Sequence, residues 1–346
     1  MANAKAPTLP GFLRPEANTS KGYFQSKAFE MIESQEMERL GMAFAQPNSP
    51  FSLHHAKHHT ARDLNRYSNV LPYHHSRVVV NGPMAFMNAN RITAPPLLRT
   101  SLPEDFPGYI ATQAPLPETQ ANFWRMVQDQ NVHVIVCLTN VSSDRTRRAA
   151  KAEQYWPKAG QTDKFGPNLS VRNLDSTNSN NEIDYRKLEL WDPSSTTTPR
   201  RPILLAHYQA WPDHGVPKNS NHLRDIMYTI RSWKRDLKAS NNHDGNLGPV
   251  LVHCSAGVGR TGTFCVIDTA LAVLEHTQYP HLAPHPLHHT NQQEQTVAQA
   301  IDAYDWNQDR DLVFEILSAF RNERMMLVQT GPQYQFCYAA VRDLCQ

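Results

Sequence analysis

The chain has 346 residues, 40% of them hydrophobic, which is enough for one large domain or two small ones with a sizeable core. A formal net charge of +2 at pH 7 argues against recruitment to nucleic acid by bulk charge. No apolar run reaches the ~18 residues of a membrane-spanning helix, and the first residues lack the apolar centre of a secretory signal, so neither membrane nor export is expected. The five cysteines, Cys137, Cys254, Cys265, Cys337 and Cys345, are odd in number and lack paired spacing, which fits free thiols in a reducing compartment. Glycosylation triplets at Asn18, Asn140 and Asn168 are therefore read as chance matches.

In chain order, residues 1–22 are polar and proline-bearing and are set apart as a flexible segment. Lys21–Phe44 predicts a helix, with Phe29, Ile32, Met37 and Leu40 at helical spacing. Ser76–Val80 and Ala85–Ile92 flank Asn81-Gly82 and predict a tight hairpin. Pro117–Asn131 reads as a helix opened by proline, followed by a strand over Val132–Thr139. Phe165–Asp184, rich in Asn, Ser and Asp, reads as a surface loop. Pro202–Trp211 is a strand and Asn219–Lys238 an amphipathic helix with Leu223, Ile226, Met227, Ile230, Trp233 and Leu237 on one face. Gly248–His253 is a short strand and Thr261–Glu275 a helix. His276–Gln299, rich in His, Pro and Gln, is a second surface loop, and the insertion spans about 277–309. Asp311–Arg324 and Pro332–Cys345 complete the helices. No internal repeat is present, and strands alternating with helices indicate α/β architecture.

The segment Cys254–Arg260, CSAGVGR, is thus a loop from a strand into a helix. Successive amides of such a loop converge on one point, to which the helix N-terminus adds positive potential, so the loop is suited to an anion. Gly257 and Gly259 let the backbone curl, and Arg260 offers a planar fork to two oxygens. The same field lowers the pKa of the Cys254 thiol and makes it a nucleophile. Thr261 is placed to hydrogen-bond the sulfur, and His253 to orient the loop. The plainer alternative is a structural cysteine beside a glycine turn, and Cys-x5-Arg alone does not discriminate.

The full string His253–Gly262, HCSAGVGRTG, resembles the signature loop of the phosphotyrosine-specific protein tyrosine phosphatases. The resemblance runs in motif order from about residue 23 to 346 and includes LNRYSNV, YIATQAP, NFWRMV, KAEQYWP, WPDHGVP, HCSAGVGRTG and FRNERMMLVQT. It implies one α/β domain over 23–346: a highly twisted mixed sheet, parallel in its centre, flanked by helices on both faces. It also implies hydrolysis of phosphotyrosine through a phosphocysteine, with Cys254 as nucleophile and Arg260 and the amides of Ser255, Ala256, Gly257, Val258 and Gly259 holding the phosphate. Asp213 in WPDHGVP is the implied general acid. Gln329 would orient the hydrolytic water and Gln333 would lie beside the phosphoryl group. Tyr67 would stack on the substrate ring and set the pocket depth, Asn69 would contact the substrate backbone, and Lys151 would lie near the acid loop. Arg321 and Arg324 are expected to brace the signature loop.

WPDHGVP, YIATQAP and RMMLVQT together look closest to fungal, non-receptor members, which makes a mitogen-activated kinase a candidate substrate. Departures from the pattern are Leu64, Phe86–Asn90, Thr146 and Ala152; they touch the loop around Lys151 and peptide preference rather than the chemistry. His54-His55 and His58-His59 would form an i,i+4 metal pair if helical, but no acidic or cysteine ligands accompany them, and no metal or cofactor is expected. The implied partners are phosphotyrosine proteins, with no nucleic acid or membrane, for a cytoplasmic monomer with possible nuclear access. Two rivals remain open: an enzyme that also takes phosphoserine, phosphothreonine or lipid phosphates, and an inactive relative that only binds phosphotyrosine.

Overall fold

The computed structural model describes residues 11–13, 18–82, 85–141, 151–178, 182–196, 199–212, 215–240, 247–277 and 311–345. Among them, eight strands form one mixed sheet in the order β1-β2-β8-β3-β7-β6-β5-β4. The strands are β1 Ala89–Ile92, β2 Tyr109–Thr112, β3 Val134–Cys137, β4 Thr162–Lys164, β5 Ser170–Asn178, β6 Ile183–Trp191, β7 Arg201–Tyr208 and β8 Val250–His253. The central strands β2, β8, β3 and β7 run parallel, and β1, β6, β5 and β4 join antiparallel. The helices are α1 Asn18–Ala45, α2 His54–Lys57, α3 His59–Arg62, α4 Gln120–Asp129, α5 Asn221–Ala239, α6 Gly259–Thr277, α7 Leu312–Glu323 and α8 Gly331–Leu344.

Alternation along the central strands sends apolar side chains to two cores. Val134, Val136, Val250 and Val252 meet α5, α6, α7 and α8 on one face. Ile110, Ile135, Leu205 and Leu251 meet Phe123, Trp124 and Val127 of α4 on the other. Helix α6 is apolar nearly all round because it is buried nearly all round, from Gly259 to Leu274. Strand β8 lies between β2 and β3, so the loop that follows His253 leaves the carboxyl edge of the parallel strands at the middle of the sheet. Open parallel sheets present their ligand sites at this edge.

Three expectations are corrected. Asn81-Gly82 does not close a tight hairpin: Arg77 and Asn90 form an isolated bridge, and β1 takes β2 as its partner. Pro83, which would face Val80 across a two-residue turn, has no N–H to donate. The polar stretch Phe165–Asp184 is not a loop throughout, because β5 pairs with β6 along its length with a register shift between Asn173 and Asp175. From Leu174 to Thr177 the side chains are exposed and backbone pairing alone continues the strand, so composition carried no warning. Within the segment set apart as flexible, Gly11–Leu13 is a short 3-10 turn whose Leu13 is buried, and α1 starts at Asn18. The insertion beyond Thr277 lies outside the described residues up to 310.

Candidate active site

The chain between β8 and α6 turns through Cys254–Val258 before the helix opens at Gly259. Gly257 has φ +72°, and a Cβ there would stand 2.0 Å from Thr112 O, so backbone conformation and close approach both demand glycine. At Gly259 the demand is for space: a Cβ would come within 3.0 Å of the Gln333 side-chain amide. Ala114 N donates to Ser255 O at 2.9 Å, and Val328 N to Val258 O at 3.2 Å, which pins the loop at both ends.

The Cys254 thiol is buried, and burial alone would raise its pKa. The Arg260 charge, the Thr261 hydroxyl and the amides of Thr261 and Val258 outweigh burial and hold the thiol below its ordinary value. Thr261 Oγ1 is buried with no partner of regular hydrogen-bond geometry, which leaves the sulfur as the atom it serves. Cys137, Cys265 and Cys337 are also buried, but in apolar surroundings that push their thiols up. Ionisation therefore distinguishes Cys254 among the buried thiols.

One cavity is lined by Tyr67, Asn69, Val70, Lys151, Cys254, Ser255, Ala256, Val258, Gly259, Arg260, Gln329 and Gln333. Except for Val70, every one of these was expected as a site residue. Tyr67 Oη lies 2.8 Å from Ser255 Oγ, and Ser255 Oγ donates to Lys151 O at 2.5 Å. The two walls of the mouth are thereby tied to the loop below. Arg260 Nη1 donates to Trp211 O at 3.2 Å, linking the loop to WPDHGVP. Trp211 is buried and its Nε1 donates to Gly215 O at 3.1 Å. Asp213 itself lies outside the described residues. Gln329 N donates to Gln333 Oε1 at 2.9 Å, which turns the two glutamines toward one another at the start of α8.

Gly257, Thr261 and His253 support the cavity without lining it. His253 is fully buried, with Nδ1 2.9 Å from Cys254 O and Nε2 2.7 Å from Tyr155 Oη. A carbonyl only accepts, so Nδ1 carries the proton and Tyr155 donates to Nε2. Burial drives the His253 pKa down to about 4, aided by His207, Arg66 and Arg260 and opposed by the bond to Cys254 O. His253 is thus a neutral orienting group.

Arg324 meets the expectation of a brace. Its guanidinium is fully buried and donates to Gly257 O (2.8 Å), Ala256 O (3.0 Å), Asn90 Oδ1 (2.7 Å) and Asn88 Oδ1 (2.9 Å). Arg321 does not meet it. Its bonds go to Leu327 O, Val328 O and the Glu36 carboxylate, so it braces the glutamine loop instead. Sequence reasoning also missed the buried ion pair of Arg66 with Glu153, which ties the Tyr67 loop to the segment after Lys151. Partners this far apart in the chain leave no local signal. Helix α2 ends at Lys57, and its cap His58, with φ −58° and ψ 144°, interrupts the helix between His55 and His59. No group of three or more His, Cys, Asp or Glu suited to a metal occurs among the described residues.

Comparison with known proteins agrees in kind. The sequence profile of the family described as Protein-tyrosine phosphatase matches residues 61–309. A protein-tyrosine-phosphatase of Arabidopsis thaliana, PTP1, is 33% identical over 283 residues, covering 81% of this chain and 70% of that protein. Tyrosine-protein phosphatase 3 of Dictyostelium discoideum is 30% identical, over 91% of this chain and 29% of its own length. Human tyrosine-protein phosphatase non-receptor type 4 is 30% identical, over 80% of this chain and 24% of its own. The chain therefore spans most of the plant relative but less than a third of the other two.

Proposed function

The chain belongs to the protein-tyrosine phosphatase family, and from that premise we propose that it hydrolyses phosphotyrosine in proteins through a phosphocysteine at Cys254. One observation carries the assignment of residues: an ionisable thiol held below its ordinary pKa opens into the same cavity as Arg260, Tyr67, Gln329 and Gln333. In the first step the Cys254 sulfur attacks phosphorus and the P–S bond forms. The bond to the tyrosyl oxygen breaks, and that oxygen takes a proton from Asp213. Arg260 and the amides of Ser255–Gly259 hold the equatorial oxygens, a preorganised electrostatic contribution. In the second step Gln329 places a water, whose oxygen bonds to phosphorus. The P–S electron pair returns to sulfur and the water's proton goes to Asp213.

Tyr67 sets selectivity by depth. A phenyl ring stacked on it carries its phosphate down to the sulfur, whereas a seryl phosphate on its short stem stops above it. The catalytic unit is taken as 23–346, with 277–309 as a surface insertion. Among the described residues no helix is long and apolar enough to cross a membrane. A cytoplasmic monomer acting on phosphotyrosine proteins, with a mitogen-activated kinase as candidate substrate, is the reading we adopt.

The test is phosphate release from a phosphotyrosine peptide and its phosphoserine counterpart, with wild type and Cys254→Ser side by side and a chelator present. Release from phosphotyrosine alone, lost in Cys254→Ser and indifferent to chelator, is expected. Equal release from both peptides would replace this reading with broad specificity and remove the role given to Tyr67. No release with retained phosphopeptide binding would turn the chain into a binding module.

A further inference from the structure

Glu36 lies on α1, is only 4% exposed, and spends both carboxylate oxygens on the far end of the chain. Oε1 accepts from Met326 N at 2.7 Å, and Oε2 is ion-paired with Arg321. Arg321 in turn donates to Leu327 O at 2.8 Å and to Val328 O at 2.7 Å. The pair therefore holds backbone groups of Met326, Leu327 and Val328 in succession. Met326 has φ 59° and Val328 φ 56°. The left-handed region is uncommon for any residue with a side chain and an outlier for a β-branched one. Backbone of this kind persists where its surroundings over-determine it. The residue that follows is Gln329, which enters the cavity directly from this strained link.

We propose that Glu36 is a positioning residue for the hydrolytic half of the reaction: through Arg321 it fixes the link 326–328, and so the direction in which Gln329 reaches the phosphocysteine. The proposal rests on the reading above, in which Gln329 orients the water that cleaves the P–S bond. Glu36 touches neither sulfur nor phosphate. The machinery of the first step takes one bond from the link, Val328 N to Val258 O, and is otherwise fixed by contacts outside it: Arg324 on Gly257 and Ala256, Arg260 on Trp211, and Tyr67 on Ser255. Loosening the link therefore leaves attack on the substrate intact and misdirects the water. Glu36, Arg321 and Gln329 all lie outside residues 61–309, so the brace joins the two ends of the chain beyond the family profile.

The two steps separate in kinetics, because kcat/KM reports events through loss of the tyrosyl group and kcat also includes hydrolysis. The measurement is steady-state kinetics on a phosphotyrosine peptide, with acid quench to count enzyme carrying a phosphoryl group on Cys254. It uses wild type, Glu36→Gln, Gln329→Ala and the double variant. For Glu36→Gln, kcat falls roughly tenfold, the scale of a displaced positioning group. KM falls with it, kcat/KM stays within about twofold, and phosphocysteine accumulates. In the double variant the added loss over Gln329→Ala vanishes, because both act through one group. Equal losses in kcat and kcat/KM, or wild-type kinetics with only a lowered melting temperature, would overturn the proposal. Should Glu36→Gln fail to fold, Val328→Gly frees the same link without orphaning a buried charge and must give the same signature. Absence of phosphocysteine in wild type and in Gln329→Ala would sink the underlying reading instead, and is seen before Glu36 is judged.

Discussion

The Cys254 thiol sits where burial and local charge oppose each other, and charge prevails. A lowered pKa means that thiolate already predominates at pH values where an ordinary thiol, at about 8.5, is still protonated. The pH profile of alkylation by iodoacetamide should therefore have its midpoint below that of an ordinary thiol. Arg260→Ala removes the largest lowering influence. The midpoint of the alkylation curve should then move to higher pH. An unmoved midpoint would detach Arg260 from the thiol's ionisation. At this scale the sequence was informative wherever function is written in a short string. Cys254, Arg260, Tyr67, Gln329 and Gln333 were all placed from local motifs and meet in one cavity. It was silent on Glu36 and Glu153, whose partners Arg321 and Arg66 lie far away in the chain. An isolated glutamate on a helix reads as surface until its partner is known.

At the scale of elements, the signature loop keeps its shape because three others press on it: β2 at Thr112, the α7 cap at Arg324, and α8 through Gln333. Gly257→Ala drives a Cβ to 2.0 Å from Thr112 O at φ +72°. The loop must then move. Activity should fall by at least a hundredfold, and stability by roughly 2 kcal/mol or more, of the order of a strained backbone plus an overpacked contact. Denaturant midpoints and turnover on the purified variant would check both; near-normal turnover would show that the loop does not require this curl. Arg324→Lys replaces a fork that spans four oxygen acceptors with a point charge. A fall in kcat of about tenfold or more is expected, without loss of the fold, and unchanged kcat would remove Arg324 from the support of the loop. Helices with a clear apolar stripe were legible: Leu312–Glu323 and Asn221–Ala239 lie within a residue or two of expectation. The hairpin at Asn81-Gly82 and the loop over Phe165–Asp184 were not, because pairing depends on which strand lies alongside, and that is a non-local fact.

Across the whole molecule, two buried histidines sit at the sheet's carboxyl edge on either side of Cys137 of β3, His207 near the end of β7 and His253 ending β8. Burial lowers both to about 4. His207 Nε2 lies 2.9 Å from Thr139 O, and its Nδ1 is buried without a partner, so a second proton would have nowhere to bond. The unfolded chain, with histidine near 6.5, binds more protons than the folded one between these values. Stability is therefore complete above about pH 6.5 and is lost as pH falls toward 4, by up to about 3 kcal/mol for each histidine. Urea midpoints at pH 7 and pH 4.5 should differ accordingly, and equal midpoints would mean that these rings are protonated within the fold. The α/β architecture was legible from the alternation of strands and helices, whereas the parallel centre was an implication of the family resemblance, which the strand pairing bears out. Which strand sits in the middle was not legible, yet that placement decides where the loop after His253 emerges.

The central claim is a covalent intermediate on one named sulfur. The measurement that tests it most directly is mass spectrometry of the enzyme quenched in acid within milliseconds of mixing with a phosphotyrosine peptide. One phosphoryl group on the peptide that holds Cys254, absent in Cys254→Ser and enriched in Gln329→Ala, is the predicted result. Tyrosine and phosphate released at full rate with no phosphoryl group on Cys254 at any time, or with the group on another residue, would contradict the account.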